Sequence, residues 1–391
     1  MLYIPSELLC MIIEYTPEAI WLSCDYYQYE YISKQFVESI IEWCVINGHL
    51  DLLKCAYENG CISNAMSCMF AAQTGHLDCL KYLHESGCKW DEKTCTYAAS
   101  NGKLDCLRYA HENGALWGYR ACAYTAMNGH LDCLKYLHEN GCDWDDRTTR
   151  YAAEFGNIDC LEYACKNGCV YETAACDRAA INGHLNCLKY LFQIGCSWNN
   201  TILSSTASSG HLDCMIYLNE ICACPWDRFT CEIAAVNGNL DCLRYAHENG
   251  CQLNEWVIKY SANEGHLDCM KYAHENGCSL DSTTSSYAAC HLDCLKYLHE
   301  NNCPWDEQTC SSAASSGKID CLMYAHEHGC PWGEQTCSSA ASGGYLDCLK
   351  YAHENGCPWD YLQFLLLFFQ SQCTFLTIEC FKYVNKYMLS K

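Results

Sequence analysis

Cysteine and histidine are the side chains here that could do chemistry, and both are abundant, with 38 cysteines and 16 histidines in 391 residues. Together they could hold a metal ion or pair a thiolate nucleophile with its base. Their spacing points elsewhere. Cys79, Cys106, Cys133, Cys160, Cys187, Cys214, Cys242, Cys269, Cys294, Cys321 and Cys348 form one periodic ladder. His84, His111, His138, His247 and His353 form a second, and His76, His130, His211 and His266 each follow a glycine. A reaction centre is unique and asymmetric, whereas a residue copied into every unit holds the copies together. A zinc site would show two separated Cys-x-x-Cys pairs, and none occurs. Cys222-Ala223-Cys224 coincides with a one-residue insertion between Asp213 and Asp241 and reads as a displaced repeat cysteine. Phosphate-binding Gly-x-x-x-x-Gly-Lys, Gly-x-Ser-x-Gly and His-Glu-x-x-His motifs are also missing. The expectation is a non-enzyme with no catalytic residue, metal or cofactor.

The elements that carry these ladders follow from the period. Gly48, Gly75, Gly102, Gly129, Gly156, Gly183, Gly210, Gly238, Gly265, Gly317 and Gly344 open the recurring step Gly-x-Leu-Asp or a close variant, usually 27 residues apart. A twelfth copy at Cys290-His291-Leu292-Asp293 lacks the glycine, and Asp293 follows Asp268 by 25 residues. Each unit reads as helix, glycine turn, helix, glycine stop. In one copy Asp91 and Glu92 suit a helix N-terminus, and Gly102 and Gly114 suit left-handed terminators. In the second helix Leu77, Cys79, Leu80, Tyr82 and Leu83 share a broad arc opposite Asp78, Lys81 and Glu85. An arc that wide fits a helix sandwiched between neighbouring units. The first helix carries alanine three residues before the turn, at Ala72, Ala99, Ala126, Ala153 and onward. Small residues admit close approach, so the stack should curve with first helices inside. The expected fold is an all-α helix-turn-helix solenoid of about 12 repeats with atypical terminal caps.

The chain has 24 Lys and Arg against 47 Asp and Glu, a net charge of -23. Such a surface repels phosphate backbones and anionic lipid, so neither nucleic acid nor a membrane is expected as partner. The opening Met1-Leu2-Tyr3-Ile4-Pro5 lacks the basic region and apolar core of a signal peptide, and the longest apolar run, Phe364 to Phe369, falls far below the ~20 residues of a span. Equivalent cysteines on stacked helices would lie about 8 to 10 Å apart, beyond the roughly 7 Å Cα limit of a disulfide. Reduced thiols in a cytoplasmic monomer are therefore expected.

The small-residue pair, Gly-His, Leu-Asp-x-Leu-x-Tyr-Leu and Asn-Gly-Cys resemble the core of the ankyrin repeat over residues 41–360. The usual unit is about 33 residues and opens with Thr-Pro-Leu-His; here that motif is missing, which implies that the projecting hairpin is reduced to a short link. Short, cysteine-rich units of this kind are similar to ankyrin proteins of giant DNA viruses of amoebae, implying host cytoplasm and host interaction. Residues 1–40 lack the repeat. Their Ile4-Pro5-Ser6-Glu7-Leu8-Leu9-Cys10-Met11-Ile12-Ile13 resembles the start of an F-box, and Ile32-Ser33-Lys34-Gln35-Phe36 its later Val-Ser-Lys step, although Cys24 to Tyr29 fits poorly. The resemblance implies that Pro5, Leu8, Leu9, Ile12 and Ile13 contact the Skp-type linker of a cullin ubiquitin ligase. A helical cap over the first repeat would use the same apolar stripe. At the other end Ile378 to Val384 echoes the second helix, so 361–391 reads as a degenerate capping repeat with Phe364 to Phe369 as its first helix.

Binding specificity belongs to positions that vary while the framework repeats. Nine residues before the turn glycine stand Lys93, Arg120, Arg147, Ala174, Thr201, Phe229, Trp256, Gln308 and Gln335. Six before it stand Thr96, Ala123, Arg150, Asp177, Ser204, Glu232, Lys259, Ser311 and Ser338. Both sets lie on the first helix, the expected inner face. Lys93, Arg120, Arg147, Arg150, Phe229, Glu232, Trp256 and Lys259 are the candidate contacts with a protein target. Arg120, Arg147 and Arg150 make a basic spot and Phe229 with Trp256 an aromatic one, the residue types that dominate interfaces. Drift at exposed positions would produce the same variation. Trp90, Trp117, Trp144, Trp198, Trp226, Trp305, Trp332 and Trp359 read as packing residues between repeats.

Overall fold

The computed structural model describes residues 41–58, 63–358 and 375–388. The F-box-like segment, Phe364 to Phe369 and Trp359 lie outside them. The described residues fall into two compact units, one up to Trp198 and one from Asn199 onward. The first contains α1 (Leu50–Glu58), α2 (Ala65–Thr74), α3 (Leu77–Glu85), α4 (Glu92–Ser100), α5 (Leu104–Glu112), α6 (Ala121–Met127), α7 (Leu131–Glu139), α8 (Asp146–Glu154), α9 (Ile158–Lys166), α10 (Thr173–Ile181) and α11 (Leu185–Gln193), with residues 41–47 also helical. The second contains α12 (Ile202–Ser209), α13 (Leu212–Glu220), α14 (Thr230–Val236), α15 (Leu240–Glu248), α16 (Glu255–Glu264), α17 (Leu267–Glu275), α18 (Ser282–Ala288), α19 (Leu292–Glu300), α20 (Glu307–Ser315), α21 (Ile319–Glu327), α22 (Glu334–Ser342), α23 (Leu346–Glu354) and α24 (Phe375–Met388). Helices α2 to α22 with even numbers are first helices of a repeat, and those from α1 to α23 with odd numbers are second helices. No strand occurs among the described residues, so the inter-repeat link carries no hairpin there.

Local chemistry explains the boundaries. Asp91 accepts from Lys93 N at the head of α4, and Asn254 accepts from Trp256 N and Val257 N at the head of α16. Second helices stop in a Schellman-type closure: Cys251 N–H bonds Ala246 O at 2.9 Å around Gly250, whose φ is 98°. In the repeat with the extra residue, Cys224 N–H bonds Leu218 O at 3.0 Å, so Cys224 occupies the repeat position and Cys222 is the displaced neighbour.

The turn between the two helices does more than reverse the chain. Gly238 has φ 71°, and a Cβ there would fall 2.5 Å from Nδ1 of His266 in the next repeat. His266 Nε2 lies 3.1 Å from Val236 O. The residue that opens a second helix thus points backward onto the preceding turn, and its side chain makes no cap to its own helix. Asn157 performs the same task by donating to Ala126 O and Met127 O at 2.9 and 2.8 Å, and Asn239 by donating to Ala207 O and Ser208 O. His291, whose own turn has Cys290 in place of glycine, docks on the Gly265 turn in the same way, with Nε2 2.9 Å from Asn263 O.

Within each unit the first helices pack on one another far more closely than the second helices do. Ala98, Ala99, Ala152, Ala153, Ala234 and Ala235 are fully buried between them. On α3, Cys79, Leu80 and Leu83 are buried while Asp78 and Glu85 are exposed, as the arc predicts. Full burial of one such leucine contributes roughly 1.5–3 kcal/mol, so each repeat is stabilised by its neighbours and has little core of its own.

Candidate functional site

The cysteine and histidine ladders resolve into packing. The second-helix cysteines are buried, and burial pushes their thiols up, Cys79 and Cys106 to about 11 and Cys160 to about 12. A buried neutral thiol is neither a nucleophile nor a ready metal ligand. Among the described residues no three Cys, His, Asp or Glu side chains are grouped to hold a metal ion. Nor is any helix there long and apolar enough to cross a membrane.

The histidines join tyrosines of the following repeat. His84 Nδ1 and Tyr109 Oη are 3.0 Å apart, and the bond recurs between His111 and Tyr136, His138 and Tyr163, His247 and Tyr272, and His326 and Tyr351. Tryptophan covers the imidazole, with ring centroids 3.9 Å apart for His84 and Trp90 and 3.6 Å for His326 and Trp332. Trp90 also meets Tyr109 edge-on at 6.2 Å. These tryptophans and histidines bind one repeat to the next, and the tyrosine partner went unremarked in the sequence because it lay inside an invariant motif.

The two variable columns separate. The column nine residues before the turn faces outward, with Lys93, Arg120, Phe229 and Trp256 exposed and Arg147 half-buried. In the column six before the turn several side chains reach the next repeat. Lys259 is only 7% exposed, and its Nζ lies 2.9 Å from Glu255 Oε2 and 3.1 Å from Asp281 Oδ2 of the next repeat. Glu232 accepts from Asn254 Nδ2 at 2.7 Å, also in the next repeat. Thr96 accepts from Gly118 N at 2.9 Å in the same way, and Ala123 is buried. From this position a side chain reaches the N-cap region of the following first helix, so Glu232 and Lys259 tie repeats together.

The residue five before the turn shares the outer face with the first column, being one helical turn further on. Tyr97, Tyr124, Tyr151 and Tyr260 stand there, with Arg178, Ser205, Ile233, Ser312 and Ser339 in other copies. In the first unit the tyrosines build a cluster with arginine. The guanidinium of Arg120 lies 5.0 Å over the ring of Tyr119, which is 69% exposed, and that of Arg147 lies 5.5 Å over the same ring. Arg120 Nη1 donates to Tyr124 Oη at 3.2 Å, and Arg150 sits 5.3 Å over Tyr151. Arg147 also pairs with Asp145, whose carboxyl it holds below the ordinary carboxylate range, and Arg150 pairs with Asp146 at 3.5 Å. Arg120 turns to a neutral phenol instead. Stacked arginine and tyrosine form a flat, cationic, hydrogen-bonding surface suited to a carboxylate-bearing partner. Lys93 lies one repeat earlier, on α4. In the second unit Arg228 covers Phe229 at 4.4 Å, while Trp256 stacks on Tyr260 at 5.4 Å with Lys259 against its ring.

A search of curated proteins finds no match to the chain. Among solved structures it is similar to the human ASB11 ankyrin repeat domain, at 17% identity and a TM-score of 0.37, covering 41% of this chain and 84% of that one. It is also similar to the pentatricopeptide repeat protein PPR10, solved in complex with an 18-nt psaJ RNA element, at 12% identity and a TM-score of 0.38, covering 93% of this chain and 63% of that one. Both scores are too low to bear on function. The family model "Ankyrin repeats (3 copies)" matches at residues 68–148, 95–175 and 176–256. Residues 68–256, a segment built throughout of helix, glycine turn and helix, are thus similar to a run of ankyrin repeats.

Proposed function

We propose that the chain is a non-enzymatic binding scaffold that captures a protein partner on the exposed face of its first helices. The Tyr119, Arg120, Tyr124, Arg147, Arg150 and Tyr151 cluster contributes the strongest contact, to an acidic segment of that partner. The observation that carries this reading is the arginine and tyrosine platform around the exposed Tyr119 and Arg120 on an otherwise acidic chain. Lys93, Phe229 and Trp256 extend the same outward column. Cross-linking of the full chain in extract, with partner sites mapped for wild type, Arg120→Glu with Arg147→Glu, and Phe229→Ala with Trp256→Ala, tests it. The expected result is loss of partner cross-links in the arginine variant with helicity intact; partners retained by both variants refute the assignment. On the resemblance to the repeat proteins of amoebal giant viruses, the partner is a host protein and the chain acts as a monomer in host cytoplasm.

The finer reading makes the chain a substrate adaptor, with residues 1–40 as an F-box-like module and Pro5, Leu8, Leu9, Ile12 and Ile13 contacting a Skp-type linker. Its support is the Pro-x-Glu-Leu-Leu motif of the sequence. Residues 361–391 then close the array as a degenerate repeat, a reading supported by α24, which packs on α22 and α23 and sets Tyr383 Oη 3.0 Å from His353 Nδ1 at the ladder position. Pull-down of a recombinant Skp-type linker by the full chain, lost on Leu9→Asp, is the expected outcome. No binding by wild type leaves a plain scaffold with a helical cap.

A further inference from the structure

The cysteines contain a pattern that the 27-residue period conceals. The first-helix cysteine of a repeat and the cysteine after the helix-ending glycine of that repeat occupy inequivalent positions, and the fold brings them together. Cys68 Sγ lies 3.0 Å from Cys88 Sγ. Cys122 and Cys142, Cys176 and Cys196, Cys231 and Cys251, Cys310 and Cys330, and Cys337 and Cys357 stand at the same two positions of their repeats, 20 residues apart. The distance limit argued from equivalent positions on stacked helices does not apply to these pairs. In the other repeats one member is replaced: Ala115 opposite Cys95, Thr149 opposite Cys169, Leu203 opposite Cys224, Ile258 opposite Cys278 and Ser285 opposite Cys303. Ser285 Oγ still lies 3.2 Å from Cys303 Sγ, so the juxtaposition belongs to the fold.

We infer that these six pairs are redox-modification sites, each closing into a disulfide that clamps one repeat to itself when the protein meets a low-molecular-weight disulfide such as oxidised glutathione. For Cys68 and Cys88 the sulfurs need to approach by about 1 Å to reach the ~2.05 Å of the bond. The loop member is the entry point, since Cys88 retains 8% exposure while Cys68 has none. Its thiolate attacks one glutathione sulfur, forming a mixed disulfide and releasing one glutathione thiolate. The Cys68 thiolate then attacks Cys88 sulfur, and the second glutathione leaves. The two thiol protons pass to the departing thiolates, so the protein pair is oxidised by two electrons and one glutathione disulfide is reduced to two thiols.

The chemistry of the paired sites favours this order. The hydrogen bond from Cys68 holds Cys88 down to about 7 and pushes Cys68 itself up. Cys142, Cys196, Cys251, Cys330 and Cys357 are held low by the same kind of bond. Cys169, which faces Thr149, is instead pushed up to about 12 by burial. Thr309 and Thr336 are fully buried with hydroxyls that make no hydrogen bond, and they add to what holds Cys330 and Cys357 low.

The test uses the full chain, purified reduced and incubated with oxidised glutathione near neutral pH, then acid-quenched, alkylated and mapped by peptide mass spectrometry. The expected result is a loss of about 2 Da per pair, with the six named linkages dominant and Cys169 and Cys278 recovered alkylated. Ala115→Cys should add a seventh linkage, to Cys95. Cys68→Ser should stop Cys88 at the glutathione adduct while the other five pairs still close. No mass loss, scrambled linkages, or adducts that never resolve in wild type would overturn the proposal. Should Cys68→Ser fail to fold, the Ala115→Cys variant decides alone, since a folded variant in which Cys95 stays unlinked to the introduced thiol also refutes it.

Discussion

Gly238 and Gly250 both adopt positive φ, 71° and 98°, yet only one of them is needed for space. A Cβ on Gly250 meets nothing within 4 Å, whereas a Cβ on Gly238 would lie 2.5 Å from His266 Nδ1. Alanine in the left-handed region costs about 1–2 kcal/mol, offset by ~0.4–1 kcal/mol from the stiffer unfolded chain. Gly250→Ala should therefore cost about 1 kcal/mol. Gly238→Ala adds displacement of the imidazole and loss of its 3.1 Å bond to Val236 O, worth ~1 kcal/mol with further strain from the overlap. Its total should reach about 2–4 kcal/mol. Since arrays of repeats need not unfold as one two-state unit, the measurement is amide hydrogen exchange across α14 to α17, supported by urea titration. In a double-mutant cycle His266→Ala should be nearly silent in the Gly238→Ala background and costly alone. Gly250→Asn should cost less than Gly250→Ala, because Asn302 already occupies the corresponding turn at φ 57°. Equal costs at the two glycines, or additive behaviour of Gly238 and His266, would refute the idea that the turn is a docking seat for the next repeat.

Three further outcomes are expected. Burial raises the thiols of Cys133, Cys187 and Cys294 to about 11 or 12, so the folded chain keeps protons that the unfolded chain releases above pH ~8.5. Stability is then intact below that pH and falls as pH rises toward 11–12, by about 1.4 kcal/mol per thiol per pH unit; a urea midpoint unchanged from neutral to pH ~10 would contradict it. Burial opposes ionisation of Asp281, but hydrogen bonds from Thr283, Thr284 and Lys259 prevail and leave its carboxyl well below the ordinary range. The stability it contributes is therefore present above pH ~4 and lost as pH falls further, and acid titration of Asp281→Asn should lack this component. Tyr136→Phe removes the 3.0 Å bond to His111 and should cost ~1 kcal/mol in urea titration, whereas Tyr190→Phe, opposite Cys165 in place of histidine, should cost little.

Much of the fold was legible because a solenoid writes its architecture as a period. The glycine stops, the caps such as Asp91, and the buried arc of Cys79, Leu80 and Leu83 are local or nearest-neighbour properties, and copying makes them visible. The candidate surface was legible only in part. Arg120, Arg147, Phe229 and Trp256 announced themselves by varying, but variation alone could not separate an exposed position from one that reaches the next repeat, as Glu232 and Lys259 do. Tyr124 and Tyr151 stand in a third column, five before the turn, which varies as well, with Arg178, Ser205 and Ile233 in other copies, and only the structure sets their rings against the arginines.

Sequence alone determined the unit and its two helices, because these rest on spacing and side-chain type. Tertiary structure decided what each ladder touches. Residues 20 apart in one repeat, Cys68 and Cys88, meet at 3.0 Å, and residues 25 apart in successive repeats, His84 and Tyr109, share a hydrogen bond. Neither offset equals the 27-residue period, since contacts run between inequivalent positions chosen by the tilt and closeness of packed helices. That geometry appears only when the units are stacked.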